Sequence, residues 1–329
     1  MKILVTSELP GQWHNKINLS NYQVILKPKN QETKEFLLSY SNETIGILCL
    51  LTDKIDKEII EKLPNLKIIS NYAVGFDNID VDYATAKGIL VTNTPGVLTE
   101  TSADLTWALI LAARRWIVQS DKFTREGKFK GWDPNLFLGY DVYGKILGII
   151  GFGRIGQAVA KRAAGFDMKV VYYSRKREIE AENRLKNQYN IEPKYVELDE
   201  LFRISDIVSI NTPLNKETYH LITYDKLKLM KKEATIVNTA RGPVIKEEDL
   251  VKALKEGIIF SAGLDVYEFE PYVNPELLEL PNVVLLPHIG SASFETRTKM
   301  AEMAVTNLTN FLTGKEPLSV VNPQVFQKK

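Results

Sequence analysis

The sequence predicts an α/β protein built from two parallel-sheet domains, one inserted into the other. Three observations carry this reading. Short apolar runs alternate with helical patterns along nearly the whole chain, as βα units require. A second round of the same alternation begins near Lys145. Two long helical patterns, Thr101–Arg115 and Phe294–Leu312, flank that second round and read as crossings between domains. They divide the chain into a discontinuous domain, residues 1–100 plus 291–329, and an inserted domain, residues 101–290. On the residues alone, two consecutive domains split near Gly144 remain the alternative.

The first round begins at Lys2–Thr6 and continues through Gln23–Leu26, Ile45–Leu51 and Lys67–Asn71. Each is a short, mostly apolar run without strict alternation, the pattern of a strand covered on both faces. Asp56–Leu63 and Val81–Lys87 have helical spacing, and Gly88 stops the latter. The second round has strands at Ile146–Ile150, Lys169–Tyr173, Ile207–Ile210, Thr235–Asn238, Phe260–Leu264 and Val283–Leu286, with a helix at Arg154–Ala164. Phe294–Leu312 closes the chain and ends before Gly314.

Bulk properties narrow the function classes. The 329 residues suffice for about two domains of ordinary size. Apolar residues make up 44 % and charged residues 25 %, so both domains can bury a core. The 42 basic and 41 acidic side chains leave a formal charge of +1, with no large positive field to draw nucleic acid or an anionic membrane. Cys49 is the one cysteine, so there is no disulfide framework, and a reducing, cytoplasmic setting is expected. The N-terminus reads as a strand, without a signal peptide. No run approaches the roughly 18 apolar residues of a membrane helix. No metal site is expected.

Gly151-Phe152-Gly153-Arg154-Ile155-Gly156 is the strongest local motif. A GxGxxG string is weak alone, but here an apolar strand precedes it and a helical pattern follows. In that context Gly151 permits a tight turn, Gly153 lets a pyrophosphate approach the backbone and Gly156 lets helix and strand pack closely. The helix N-terminus then offers N–H groups to the phosphates. The next strand ends in Tyr173-Ser174-Arg175-Lys176-Arg177, without the acid that commonly holds the ribose 2′-hydroxyl of NAD. A hydroxyl beside basic groups suits a 2′-phosphate, so NADP(H) is favoured over NAD(H), with Ser174, Arg175 and Lys176 as its contacts.

Hydride transfer to a ketone leaves an alkoxide that needs a proton, and an acidic substrate needs a fixed cation. Histidine suits the first task and arginine the second. Among His14, His220 and His288, only His288 follows a strand of the second round, and His14 and His220 read as structural or solvated. Arg241 and Glu270 follow two other strands of that round. In open α/β sheets ligands gather outside the carboxyl ends of strands.

These residues lie in longer strings: Asn71–Asp80, Gly144–Gly156, Asn238–Gly242, Gly263–Pro271 and Pro287–Ser291. In them the chain resembles the D-isomer-specific 2-hydroxyacid dehydrogenase family, glyoxylate/hydroxypyruvate reductase branch, over almost its whole length. The resemblance implies two Rossmann-like/flavodoxin-like parallel-sheet domains, the dinucleotide-binding domain inserted in the substrate domain. It implies NAD(P)H-dependent reduction of a small 2-oxo acid, glyoxylate or hydroxypyruvate, to the 2-hydroxy acid. His288 would be the proton donor, Glu270 its carboxylate partner, and Arg241 the group that binds and polarises the substrate. Asp265 would meet the nicotinamide carboxamide, and Thr212, Pro213, Thr239, Ala240 and Gly290 would line the cofactor site beside the glycine motif. The N–H groups of Val74 and Gly75 would hold the substrate carboxylate, and Leu51 would wall the pocket. Trp132 would sit on a dimerisation arm and reach the partner's active site, implying a homodimer. A phosphoglycerate dehydrogenase and a non-enzymatic, dinucleotide-sensing corepressor-like protein are the alternatives. The first is disfavoured because little sequence follows the closing helix.

Overall fold

The computed structural model describes residues 1–17 and 21–328. Its contacts separate into two compact units, Met1–Leu98 with Ser291–Lys329, and Thr99–Gly290. No helix among the described residues is long and apolar enough to cross a membrane.

The first unit carries β1 (Lys2–Val5), β2 (Gln23–Leu26), β3 (Thr44–Leu50), β4 (Ile68–Tyr72) and β5 (Leu90–Thr92). They form a parallel sheet in the order β2-β1-β3-β4-β5. Side chains leave the sheet alternately to two apolar layers. Ile3, Val5 and Leu48 join one, which includes Met300, Ala304 and Leu308 of helix Phe294–Leu312; Leu4, Ile47 and Cys49 join the other. With both faces covered, these strands read as unbroken apolar runs. Ser293 caps the long helix by accepting a bond from Thr296 N at 3.1 Å.

The second unit carries β6 (Ile146–Ile150), β7 (Lys169–Tyr173), β8 (Lys194–Tyr195), β9 (Ile207–Ile210), β10 (Thr235–Asn238), β11 (Ser261–Leu264) and β12 (Val283–Leu285). The parallel order is β12-β11-β10-β9-β6-β7-β8. Counted within the unit this is 7-6-5-4-1-2-3, the doubly wound order in which β6 and β9 flank the point where the winding reverses. Leu147 and Ile149 face one core and Ile150 the other; Val237 and Ile236 divide the same way. Each fully buried residue of this kind contributes about 1.5–3 kcal/mol.

The two long helices read as crossings each build one core. Thr99–Arg114 gives Ala103, Trp107 and Ile110 to the second unit, while Phe294–Leu312 packs in the first. A further helix, Ile117–Arg125, buries none of its residues.

Candidate active site

The glycine turn leaves β6 at the reversal point. Gly151 has φ +90°, and a Cβ there would lie 2.7 Å from the backbone of Asn211, just beyond β9. A side chain on Gly156 would collide with the carbonyl oxygen of Gly151, so helix Arg154–Arg162 could not seat against the turn. A Cβ on Gly153 would enter open space. The first turn of this helix holds no acid and no capping side chain. Open room beside Gly153 and N–H groups at a helix start are what a pyrophosphate requires, so these residues fit a dinucleotide.

At the end of β7 the basic side chains divide. Arg177 is committed to Glu182, with contacts at 2.7 and 2.9 Å, and Glu182 also accepts from Tyr172 Oη at 2.7 Å. Arg175 and Lys176 are exposed on the same turn, and the Ser174 hydroxyl donates to the carbonyl of Lys176.

Three further loops follow β10, β11 and β12. After β10, the Asn238 side chain staples the turn, accepting from Ala240 N at 3.0 Å and donating to Arg241 O at 2.9 Å. The half-buried Arg241 guanidinium donates back to Ala240 O at 2.9 Å. The Thr239 hydroxyl meets that of Thr106 at 2.8 Å.

After β12, His288 takes φ +54°, a left-handed conformation that a side chain rarely adopts. Asp265, fully buried at the end of β11, stabilises that turn from below. Its two oxygens accept from Ile289 N at 2.7 Å and Gly290 N at 2.8 Å. Burial pushes the Asp265 carboxyl up, against the pull of those N–H groups and of His288. Tyr267 ties the β11 loop to the same place, donating from its hydroxyl to Leu286 O at 2.9 Å.

The decisive contact is Glu270 Oε2 to His288 Nδ1, at 2.8 Å. A carboxylate can only accept, so the proton on this bond belongs to Nδ1 and Nε2 is the nitrogen left to gain or release one. Tyr267 N holds the other oxygen, Oε1, at 3.1 Å. Burial works to raise the Glu270 carboxyl, yet the hydrogen bond and charge of His288, with the charge of Arg241, hold it below the ordinary value. The pair is therefore an ionised carboxylate aimed at an imidazole.

A profile of the D-isomer specific 2-hydroxyacid dehydrogenase, NAD binding domain, matches residues 107–290, inside the second unit. A glyoxylate reductase of Thermococcus litoralis is 50 % identical over 328 residues, 98 % of this chain and 97 % of its own. This chain belongs to the D-isomer specific 2-hydroxyacid dehydrogenase family. The crystal structure of a glyoxylate reductase from Paecilomyes thermophila superposes with a TM-score of 0.88 at 35 % identity, covering 98 % of this chain and 99 % of that one. An NADPH-dependent glyoxylate/hydroxypyruvate reductase from Sinorhizobium meliloti, in complex with NADP and malonate, has a TM-score of 0.85 at 30 % identity, covering 98 % and 97 %.

In the first unit of this dehydrogenase, the loop after β4 is anchored by its carbonyls. Ala73 O accepts from Thr94 N, Val74 O from Asn93 Nδ2 and Gly75 O from Asn71 Nδ2, each at 2.8 Å. In a trans peptide the N–H points opposite to the C=O of its own unit. The anchored carbonyls thus turn the N–H groups of Val74 and Gly75 away from the amides that hold the loop. Asn78 Nδ2 reaches Leu50 O at 3.1 Å and Asp53 O at 3.0 Å, joining this loop to the turn that bears Leu51.

Sequence reasoning paired Glu270 with His288 but missed Asp265 as the support of the His288 turn, and missed what stands behind Glu270. Trp132 is 85 % exposed in the second unit, on a segment that also exposes Phe129, Leu138 and Tyr143. His14 bonds Glu8 at 2.9 Å and lies outside this constellation.

Proposed function

We propose that this dehydrogenase reduces glyoxylate, and hydroxypyruvate as a near relative, to the 2-hydroxy acid, with NADPH preferred to NADH. The observation that carries the reading is the 2.8 Å contact of His288 Nδ1 with Glu270. It leaves Nε2 as the proton-transferring nitrogen at the carboxyl end of the sheet.

Bound nicotinamide supplies the hydride. The protein's own groups do the rest. Arg241 binds the substrate carboxylate and polarises the carbonyl, stabilising the charge that develops on oxygen. The N–H groups of Val74 and Gly75 take the carboxylate, and Leu51 limits the size of the substrate side chain. His288 Nε2 delivers the proton to the carbonyl oxygen while Nδ1 stays bonded to Glu270, whose carboxylate orients the ring. Thr212, Pro213, Thr239, Ala240 and Gly290 line the dinucleotide site. Each Asp265 oxygen already accepts one N–H and keeps a lone pair for the nicotinamide carboxamide. Ser174, Arg175 and Lys176 form the 2′-phosphate contact, because Arg177 is occupied by Glu182.

The reading extends to a cytoplasmic homodimer. Helix Ile117–Arg125 buries nothing in its own chain, and Ile117, Val118, Phe129, Leu138 and Tyr143 are exposed between residues 117 and 143. A second copy that covers this strip would bring Trp132 to the partner's substrate site. The solitary, buried Cys49 suits a reducing compartment.

The test is a panel of small 2-oxo acids assayed with NADPH and NADH in parallel. Glyoxylate with NADPH should show the highest kcat/KM. Purified protein that binds nucleotide but oxidises none with any of these acids would overturn the reading.

A further inference from the structure

Behind Glu270 a second group of charged residues links two loops of the site. One loop runs from Arg241 through Gly242–Val244 into helix Glu247–Lys255, and the other carries Glu270. They approach so closely that a side chain on Gly242 would collide with the carbonyl of Tyr267. Glu247, the first helical residue, is 6 % exposed. Its carboxylate accepts from Glu268 N at 3.0 Å and from Asn274 N at 3.3 Å, two donors that bracket Glu270 in sequence. Glu268 returns the contact, its Oε2 accepting from Glu247 N at 2.8 Å. Its other oxygen meets His220 Nε2 at 2.6 Å, and His220 N donates to Pro243 O at 2.8 Å. The chain of contacts runs from the Arg241 loop, through His220 and Glu268, to Glu247 and back.

We propose that Glu247, Glu268 and His220 form a clamp that fixes the Glu270 loop against the Arg241 loop, which makes them positioning residues for proton transfer at His288. Two neighbouring carboxylates are a costly thing to bury. Burial pushes the Glu247 carboxyl up, repulsion from Glu268 adds to this, and the N–H groups of Glu268 and Asn274 oppose it. What the arrangement secures is the placement of Glu270 Oε2 against His288, where a misplacement of about 1 Å costs on the order of a hundredfold in rate.

The inference rests on the proposed pairing of Glu270 with His288, and a double-mutant cycle separates the two. In the full-length enzyme, Glu247→Gln keeps the volume but puts an amide donor against a backbone N–H. It should lower kcat with glyoxylate about tenfold and leave the KM for NADPH unchanged. In a Glu270→Gln background the same change should cost nothing more, because the clamp acts through Glu270. His220→Ala should lose activity similarly, and His220→Gln, whose Nε2 can donate to Glu268, should restore most of it. This pair carries the test if Glu247→Gln does not fold, as judged by NADPH binding. Wild-type kcat in Glu247→Gln and His220→Ala, or equal losses in both backgrounds, would overturn the clamp alone. Wild-type kcat in Glu270→Gln would instead overturn the acid–base reading on which it stands.

Discussion

The second unit holds two histidine–glutamate pairs, and they differ in which nitrogen is used. His288 and His220 both sit at positive φ, +54° and +50°, and their side chains are equally accessible, 26 % each. His288 spends Nδ1 on Glu270, so that Nε2, the far corner of the ring, lies outside that contact. His220 spends Nε2 itself on Glu268, whose side chain is only 6 % exposed and whose second oxygen is taken by Glu247 N. Residue type, partner and exposure do not distinguish the proposed proton donor from the proposed brace. The orientation of the ring does, and so does whether its carboxylate partner is already committed.

Breaking the first pair should have the largest effect. His288→Ala should lower kcat for glyoxylate about a thousandfold while NADPH binding, followed by fluorescence titration, stays nearly unchanged. Unaltered turnover would remove His288 from the mechanism. Glu270→Gln keeps the shape but withdraws the charge, and should cost about a hundredfold, again in kcat. The contrast with His220→Ala, about tenfold milder than Glu270→Gln and about a hundredfold milder than His288→Ala, is what separates the proposed donor from the proposed brace.

The same pair predicts a pH effect on stability. The folded Glu270 carboxyl lies below its ordinary value of 4.5, so its pairing contributes stability that is complete above that value. The contribution is lost as pH falls through the folded value. The gap in Tm between wild type and Glu270→Gln should therefore be present near neutrality and close in acid. A gap that widens as pH falls would contradict the pairing. Glu247 has the opposite sign, because burial raises its carboxyl and its ionised form opposes folding at neutral pH.

The smallest expected effect lies outside both pairs, at the cofactor. Arg175→Ala should shift the NADPH-to-NADH ratio of kcat/KM about tenfold toward NADH, the worth of one exposed charge-assisted contact. Equal losses with both nucleotides would leave Arg175 without a role at the 2′-phosphate.

Much of the architecture was legible because the sheets are covered on both faces. Gln23–Leu26, Ile146–Ile150, Lys169–Tyr173, Ile207–Ile210 and Thr235–Asn238 are strands with the bounds their apolar runs suggest, and helix Phe294–Leu312 also ends where its pattern does. Lys194–Tyr195 and Leu90–Thr92 were not legible, since two or three residues show no period. The Glu270–His288 contact was foreseen from the strings around it. The roles of Glu247 and Asp265 behind it were not. An acid at the start of a helix reads as an ordinary favourable charge, and only coordinates reveal that this one is buried and receives backbone N–H groups from another loop.

By itself the sequence determined the parallel α/β class, the glycine turn at the end of β6 and the placement of an imidazole, a carboxylate and a guanidinium after three strands of the second round. Those are local properties: periodicity, the steric freedom of glycine, and the chemistry of an imidazole, a carboxylate and a guanidinium. Tertiary structure decided which histidine presents Nε2 and which carboxylate is occupied from behind. It also decided how the loops after β10, β11 and β12 are held together. These depend on contacts between residues tens of positions apart, such as Glu247 with Asn274 and Asp265 with Gly290, which no spacing along the chain encodes.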